Sequence, residues 1–503
     1  MISTEDNISP EFSLSSSPTF EIQNRSSLTK FPRLFSPDAG GQVTERVSSS
    51  SPLNCPISSA IPFTIFDPQD DWLPITASRN GNKYYAAFHT LCSGLGIQAL
   101  VVPVAFKTLG WTWGIISLSL AYIWQLYTLW LLVQLHESTE TGMRFNRYLQ
   151  LFSAAIDNKL GKSFACLSII FLSGGTCVAL IVMGGSNLKY FFHVACNVKI
   201  LTAVEWYLVF TCMAVILSQL PNLNSIAGVS LIGAITGVGY CTLLWVVSVA
   251  KGRVPIPNAS YEPVRAETTD TGEMFEVFNA LGIIALAFRG HNLTLEIQAT
   301  MPSTEKHPSR VPMWEGVKVA YTVIAMCLFP LAVSGFWAYG RQIPNDGMLA
   351  ALHLFHSHDV SRFVLGLTTI FIVINALTSY QIYAMPSFDD LESKYTGKHK
   401  KPSPWWLRMF MRVLVAYLNF FGAVAFPLNR GINTLLGGLT LPVTMAYPCF
   451  IWLIIKKPKI NSCMWYLNWG LGILGIGLSS LLTAAGVYII INSDVHSDFF
   501  NPE

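Results

Sequence analysis

FEVFNALGIIALAFRGHNLTLEIQA, residues 275–299, reads as a membrane helix broken in its middle. An apolar run enters from Phe275, meets Phe288-Arg289-Gly290-His291-Asn292, and leaves through Leu293-Thr294-Leu295-Glu296. An arginine at the centre of a bilayer costs about 2.5–3.5 kcal/mol on an insertion scale, so intramembrane charges are rarely idle. Gly290 sits among the polar residues, where a helix can open and expose backbone groups to a solute.

The rest of the chain fits a membrane protein. It is 51% hydrophobic and only 12% charged, against about 25% charged in soluble domains. Apolar runs near twenty residues, enough to cross a hydrocarbon core of about 30 Å, are expected at 85–107, 112–135, 165–189, 205–220, 226–250, 275–299, 317–340, 363–386, 406–427, 431–455 and 465–492. These runs are too long for strands, and an outer-membrane barrel would alternate in short segments instead. The expectation is an all-α polytopic bundle of eleven spans.

Residues 1–80 differ. SLSSSPTF and SSSSPLNCPISS cannot bury a core, so this stretch reads as a disordered cytoplasmic tail, with Ser36-Pro37 and Ser51-Pro52 as candidate phosphorylation sites. It has no signal-peptide core, so the first span is expected to serve as the insertion signal. Orientation follows from basic residues in short loops. With the N-terminus inside, the inner loops hold Arg144, Arg147, Lys159, Lys162, Lys306, Arg310, Lys394, Lys398, Lys400, Lys401, Arg408, Lys456, Lys457 and Lys459, while Lys251, Arg253 and Arg265 run against the trend. Eleven spans then leave the C-terminus outside. Asn258-Ala259-Ser260 falls in an outer loop as a glycan acceptor, and Asn292-Leu293-Thr294 matches the same sequon by chance.

Several function classes drop out. His136-Glu137 opens like a zincin motif, but residue 140 is glutamate, and no GxxxxGK[ST] loop or CxxC pair occurs. No cofactor, metal or nucleic-acid partner is expected, no nucleophile–base pair suggests an enzyme, and nothing in the pattern bears on oligomeric state.

The first span repeats the broken pattern: Ser93-Gly94-Leu95-Gly96-Ile97-Gln98 interrupts a run from Tyr84 to Phe106. Five spans separate one break from the next. Residues 81–455 therefore read as a five-plus-five inverted repeat, with residues 456–503 holding an added eleventh helix and a short extracellular end. The physics of such breaks suggests a ligand. Freed N–H groups at Ser93, Gly94, Leu95 and Gly96, with a helix N-terminus, suit a carboxylate. Exposed carbonyls at Phe288, Arg289 and Gly290 suit an ammonium group. Together they describe an amino-acid backbone. Side-chain selectivity falls to polar residues of neighbouring spans: Ser173, Gly174, Gly175 and Thr176 in the third, and Asn375, Thr378 and Ser379 in the eighth. Such residues also commonly hydrogen-bond between membrane helices.

FNALGIIALAFRGHNLTLEIQATMPS, VPMWEGVKVAY, GFWAYG, KTLGWTWG at 107–114 and LSQLPNLNSIAGVS at 217–230 closely resemble the plant lysine/histidine-transporter-like group of the amino acid/auxin permeases, in the amino acid–polyamine–organocation superfamily. The likeness runs from about residue 72 to the end. It implies a LeuT-like fold, plasma-membrane placement, proton-coupled amino-acid uptake, and a substrate held between the broken first and sixth helices. One departure stands out: the residue before the Gly-His-Asn motif is usually small, whereas here it is Arg289.

Arg289 has two readings. Its guanidinium can read an anionic group on the substrate, or it can be neutralised internally by Glu296 or another acid. For proton coupling, His291 is the first candidate, since an imidazole titrates near pH 6.5, and Glu296 the second. His291 is alternatively a fixed hydrogen-bond donor, Glu137 an anchor of the inner loop, and Phe288 a lid or plain packing. Two rival functions are a sensor that keeps the site without transporting, and an auxin-like carrier of aromatic acids.

Overall fold

The computed structural model describes residues 70, 72–138, 143–156, 159–196, 201–253, 261, 270–425 and 430–492. Most of the first 80 residues, the Asn258 sequon, Arg265 and the last eleven residues lie outside these.

The chain is helical, apart from a two-residue antiparallel pair, β1 (Glu137–Ser138) and β2 (Met143–Arg144). Helix α1 (Lys83–Gly94) begins where the Asn82 side chain accepts from the Tyr84 and Tyr85 N–H groups at 2.9 and 3.1 Å. It stops at Leu95-Gly96, both extended, and α2 (Ile97–Leu135) follows. At Gly110, φ is +69°, so α2 turns a corner between residues expected to end one span and open the next. Short α3 (Tyr148–Ala155) leads to α4 (Lys159–Cys196), which overruns the expected span at both ends. Helix α5 (Ala203–Leu217) starts at a capping box: the Thr202 N–H donates to Glu205 at 2.6 Å, and the Glu205 N–H to the Thr202 hydroxyl. Then come α6 (Ala227–Lys251), α7 (Asp270–Ala285) and α8 (His291–Ala299). The expected 275–299 span is thus two helices parted by five residues.

The second half holds α9 (Arg310–Tyr339), a short α10 (Met348–His356), α11 (Arg362–His399) and α12 (Trp405–Ala425). After α12 come α13 (Arg430–Leu441), a π-helical turn over Pro442–Ala446, α14 (Tyr447–Lys456) and α15 (Cys463–Asn492). Proline at the start of that turn has no N–H to give, which widens the ladder. Among the described residues, eight helices are long and apolar enough to cross a membrane. Helices α1, α7 and α8, which flank the breaks, are too short to cross alone.

Packing places both breaks at the centre. Helix α1 lies on α9 and α6, α2 on α9 and α7, and α4 along α11. The outer surface is apolar, with Trp405, Phe410, Ile473 and Leu474 exposed, as expected of a surface facing lipid rather than water.

One boundary moves. Residues 72–80, assigned to the tail by composition, are packed: Leu73, Ile75 and Thr76 are buried. The Ile75 N–H donates to Asp389 Oδ1 at 3.2 Å, and the Leu223 N–H to the Pro74 carbonyl at 3.2 Å. The Gly81 N–H donates to the Thr300 carbonyl at 2.9 Å.

Candidate functional site

The two breaks meet. Gly96 closes the first, and Arg289-Gly290 closes the second. Gly290 takes φ +113°, a left-handed conformation that L side chains resist, and this lets α8 restart in a new direction. Gly96 is needed for space: a Cβ there would lie 2.5 Å from Arg289 Nη2 and 3.0 Å from Gln98 Oε1.

Beside them lies a cavity of about 140 Å³. Its walls are mainly aliphatic, from Val101 and Val104 of α2, Ile283 and Leu286 of α7, and Leu436 of α13. Thr176 and Gly175 of α4 add to them. Asn279, Asn345 and Gln98 supply amides, and Arg289 is the charged residue of the lining.

Arg289 is only 6% exposed, yet its Nε and Nη2 have no hydrogen-bond partner among the described residues. Its guanidinium carbon lies 5.4 Å from the centroid of the Tyr383 ring. That contact is worth about 0.5–2 kcal/mol and leaves the in-plane donors free. Among the described residues no ion pair engages Arg289. Neutralisation by Glu296 is therefore not what the structure shows.

Glu296 instead lies under the Tyr148 backbone N–H and within the fields of Asp389 and Arg147. Its Oε2 has no partner, and Ile75, Leu223 and Ile382 wall the crevice beside it. Arg147 Nε and Asp389 Oδ2 are 2.5 Å apart. Burial alone would pull the Arg147 guanidinium down, but the charge and hydrogen bond of Asp389 hold it above its ordinary value. Arg144 ties β2 to the end of α8, its Nη2 donating to the Met301 and Gln298 carbonyls at 2.7 and 3.2 Å. Ser309 Oγ donates to Glu137 at 2.6 Å, so Glu137 ties this loop as expected.

His291 is buried, with Nε2 at 2.9 Å from the Gln125 carbonyl and 3.1 Å from Thr128 Oγ. A carbonyl only accepts, so Nε2 carries the proton. Nδ1 has no partner. This is the arrangement of a fixed donor.

The other expected residues divide clearly. Thr176 lines the cavity, though its hydroxyl is spent on the Leu172 carbonyl at 2.6 Å. Ser93 and Gly94 end α1 and Leu95-Gly96 form the first break, none of them lining the cavity, and a Cβ on Gly290 would sit 3.5 Å from Ser93 Oγ. Phe288 is fully buried, edge-on to Tyr122 at 5.3 Å, which is packing rather than a lid. Asn375 donates to the Gly233 carbonyl at 2.9 Å and Ser379 to the Cys92 carbonyl at 2.8 Å, and neither lines the cavity. Ser173 accepts from Asn292 at 2.8 Å, which buries that sequon asparagine against α4.

Sequence reasoning missed Gln98, Asn279 and Asn345. Gln98 offered the one usable signal, a lone amide at the first turn after a Gly-x-Gly break.

The family model described as transmembrane amino acid transporter protein matches residues 79–492. The chain belongs to that family. Among relatives of these transmembrane amino acid transporters, it is 53% identical to Lysine histidine transporter-like 8 of Arabidopsis thaliana, over 88% of this chain and 85% of that protein. It is 42% identical to Lysine histidine transporter-like 7 of the same plant, over 86% and 90%. A solved Na+-coupled sialic acid symporter in a substrate-bound, outward-open state superposes with a TM-score of 0.52 at 13% identity, covering 84% of this chain and 92% of that one. A nucleobase-cation-symport-1 family transporter gives 0.53 at 10% identity, over 87% and 98%. At such identities the likeness concerns the fold alone, and that fold is LeuT-like, as the resemblance to the amino acid/auxin permeases implied. The family is one of transporters, not enzymes.

Proposed function

We propose that this transporter carries amino acids into the cell across the plasma membrane by proton symport. It does so through eleven spans, with the N-terminus cytoplasmic and the C-terminus extracellular. The observation that carries the reading is the meeting of the two breaks beside a cavity lined by Arg289 and Gln98. A solute site between two interrupted helices is the arrangement alternating access works around. The loops tied by Arg144 and Arg147 are basic, and basic loops favour the cytoplasm.

The first helix turn of α2 presents N–H groups with no intrahelical partner, which hold the α-carboxylate. Gln98 Oε1, buried without a partner, accepts from the ammonium group. Glu296 is the proton carrier in this reading. It lies within the fields of Arg147 and Asp389, so moving that pair during alternating access changes what stabilises its charge. His291 holds the second break in place through Gln125 and Thr128.

Uptake of labelled amino acids into cells expressing the full chain, at pH about 5.5 and about 7.5, tests this. Faster uptake at the acid pH, abolished by a protonophore, is expected. In Glu296→Gln the pH dependence should flatten while exchange of internal for external amino acid continues. An unchanged pH dependence in that variant contradicts the assignment to Glu296. Surface expression without uptake contradicts transport and favours a sensor.

A further inference from the structure

The unpaired guanidinium in the cavity fixes the sign of the ligand. Arg289 brings one positive charge to a buried site, and among the described residues no acidic, lysine or histidine side chain lines that cavity with it. Its Nε and Nη2 lack partners among the described residues, its face is covered by Tyr383, and Nη2 lies against Gly96 at the N-terminus of α2. A buried, uncompensated charge with free in-plane donors is a receptor awaiting an anion, and planar donors of this kind match a carboxylate in a forked pair. The helix N-terminus beside it adds positive potential of the same sign.

Resting on the transport reading above, we infer that the preferred ligand carries net negative charge, with a second carboxylate paired to Arg289. An acidic amino acid supplies it: its α-carboxylate takes the α2 N–H groups, its ammonium Gln98 Oε1, and its side-chain carboxylate the guanidinium. The charge count orders the alternatives. Site and ligand together are neutral for glutamate or aspartate, carry one positive charge for glutamine, and carry two for lysine. Lysine is therefore the worst fit among these, whatever the names of the relatives suggest. An amine-free dicarboxylate such as succinate shares the anionic chemistry and differs at Gln98.

Thermal stabilisation of the purified full chain by added ligand reads binding without requiring transport, and uptake by expressing cells reads the same ligands in the membrane. Glutamate or aspartate should stabilise the protein and compete for uptake at concentrations about tenfold or more below those needed for glutamine, with lysine weaker still. Arg289→Gln should erase that preference, bringing glutamate down to the potency of glutamine, and Arg289→Lys, which keeps the charge, should retain part of it. Competition by glutamate but not succinate supports the amino acid as the source of the anion. Equal competition by succinate supports the anion site with a dispensable amine. Equal potency of glutamate, glutamine and lysine overturns the inference, as does a well-expressed Arg289→Gln protein that loses glutamate and glutamine alike. Absence of all uptake together with glutamate-specific stabilisation contradicts transport while leaving the anion site standing.

Discussion

The two helix breaks are built in opposite ways. At the first, side chains reach in and satisfy the freed carbonyls: Ser379 that of Cys92 at 2.8 Å, Tyr383 that of Ser93 at 3.0 Å, Gln98 that of Gly94 and Tyr240 that of Gly96 at 3.0 Å. At the second, Tyr321 donates to the Arg289 carbonyl at 3.4 Å, the Gly290 carbonyl is taken by Thr294, and Nε and Nη2 of the guanidinium are left without a partner among the described residues. The first break is a capped scaffold whose N–H side alone stays open. The second carries the unspent charge. Equivalent interruptions in the two halves thus do different work, and the side chains around them, not the interruptions, decide which.

Removing the caps should hurt most. Ser379→Ala with Tyr383→Phe strands two buried carbonyls, each costing about 1–3 kcal/mol. Thermal denaturation of the purified double variant should show a clear loss of stability, with the Arg289–Tyr383 ring contact preserved. A stability equal to wild type would mean the first break is not held by these hydrogen bonds.

A smaller effect is expected from Gly290→Ala. The added methyl meets only Ser93 Oγ, at 3.5 Å, so the cost is the left-handed backbone, about 1–2 kcal/mol. Uptake should fall more than folding does, because relief of that strain redirects α8 and moves Arg289. Unaltered uptake would show that the second break tolerates an ordinary backbone.

Thr128→Val removes one of two partners of His291 Nε2 and should cost about 1 kcal/mol, leaving the pH profile of uptake unchanged. A shifted profile would return His291 to the proton path.

The breaks were legible in the sequence because they violate its dominant pattern. Glycine pairs and charge inside apolar runs mark the spot at 93–98 and 288–292, and the turn at Gly110 follows from the glycine between two runs. The cavity wall was not. Val101, Val104, Ile283 and Leu436 have the same composition as residues facing lipid, and only assembly of α2, α7 and α13 distinguishes them. Asn375 and Ser379 looked like site residues because a buried amide or hydroxyl reads the same whether it faces a solute or a neighbouring carbonyl. Residues 72–80 looked like tail because DWLPIT offers a short apolar motif beside Ser/Pro-rich sequence, and its docking against Asp389 and Leu223 depends on partners far along the chain.

Proton-driven accumulation is the central claim, and it is tested most directly with the purified chain in proteoliposomes under an imposed proton gradient. With labelled glutamate and glutamine outside, the account predicts concentration of amino acid inside above the external level while the gradient lasts. One charge moved through 100 mV corresponds to about 2.3 kcal/mol, or roughly a fortyfold ratio. Entry that merely equilibrates, or that ignores collapse of the proton gradient, would contradict it.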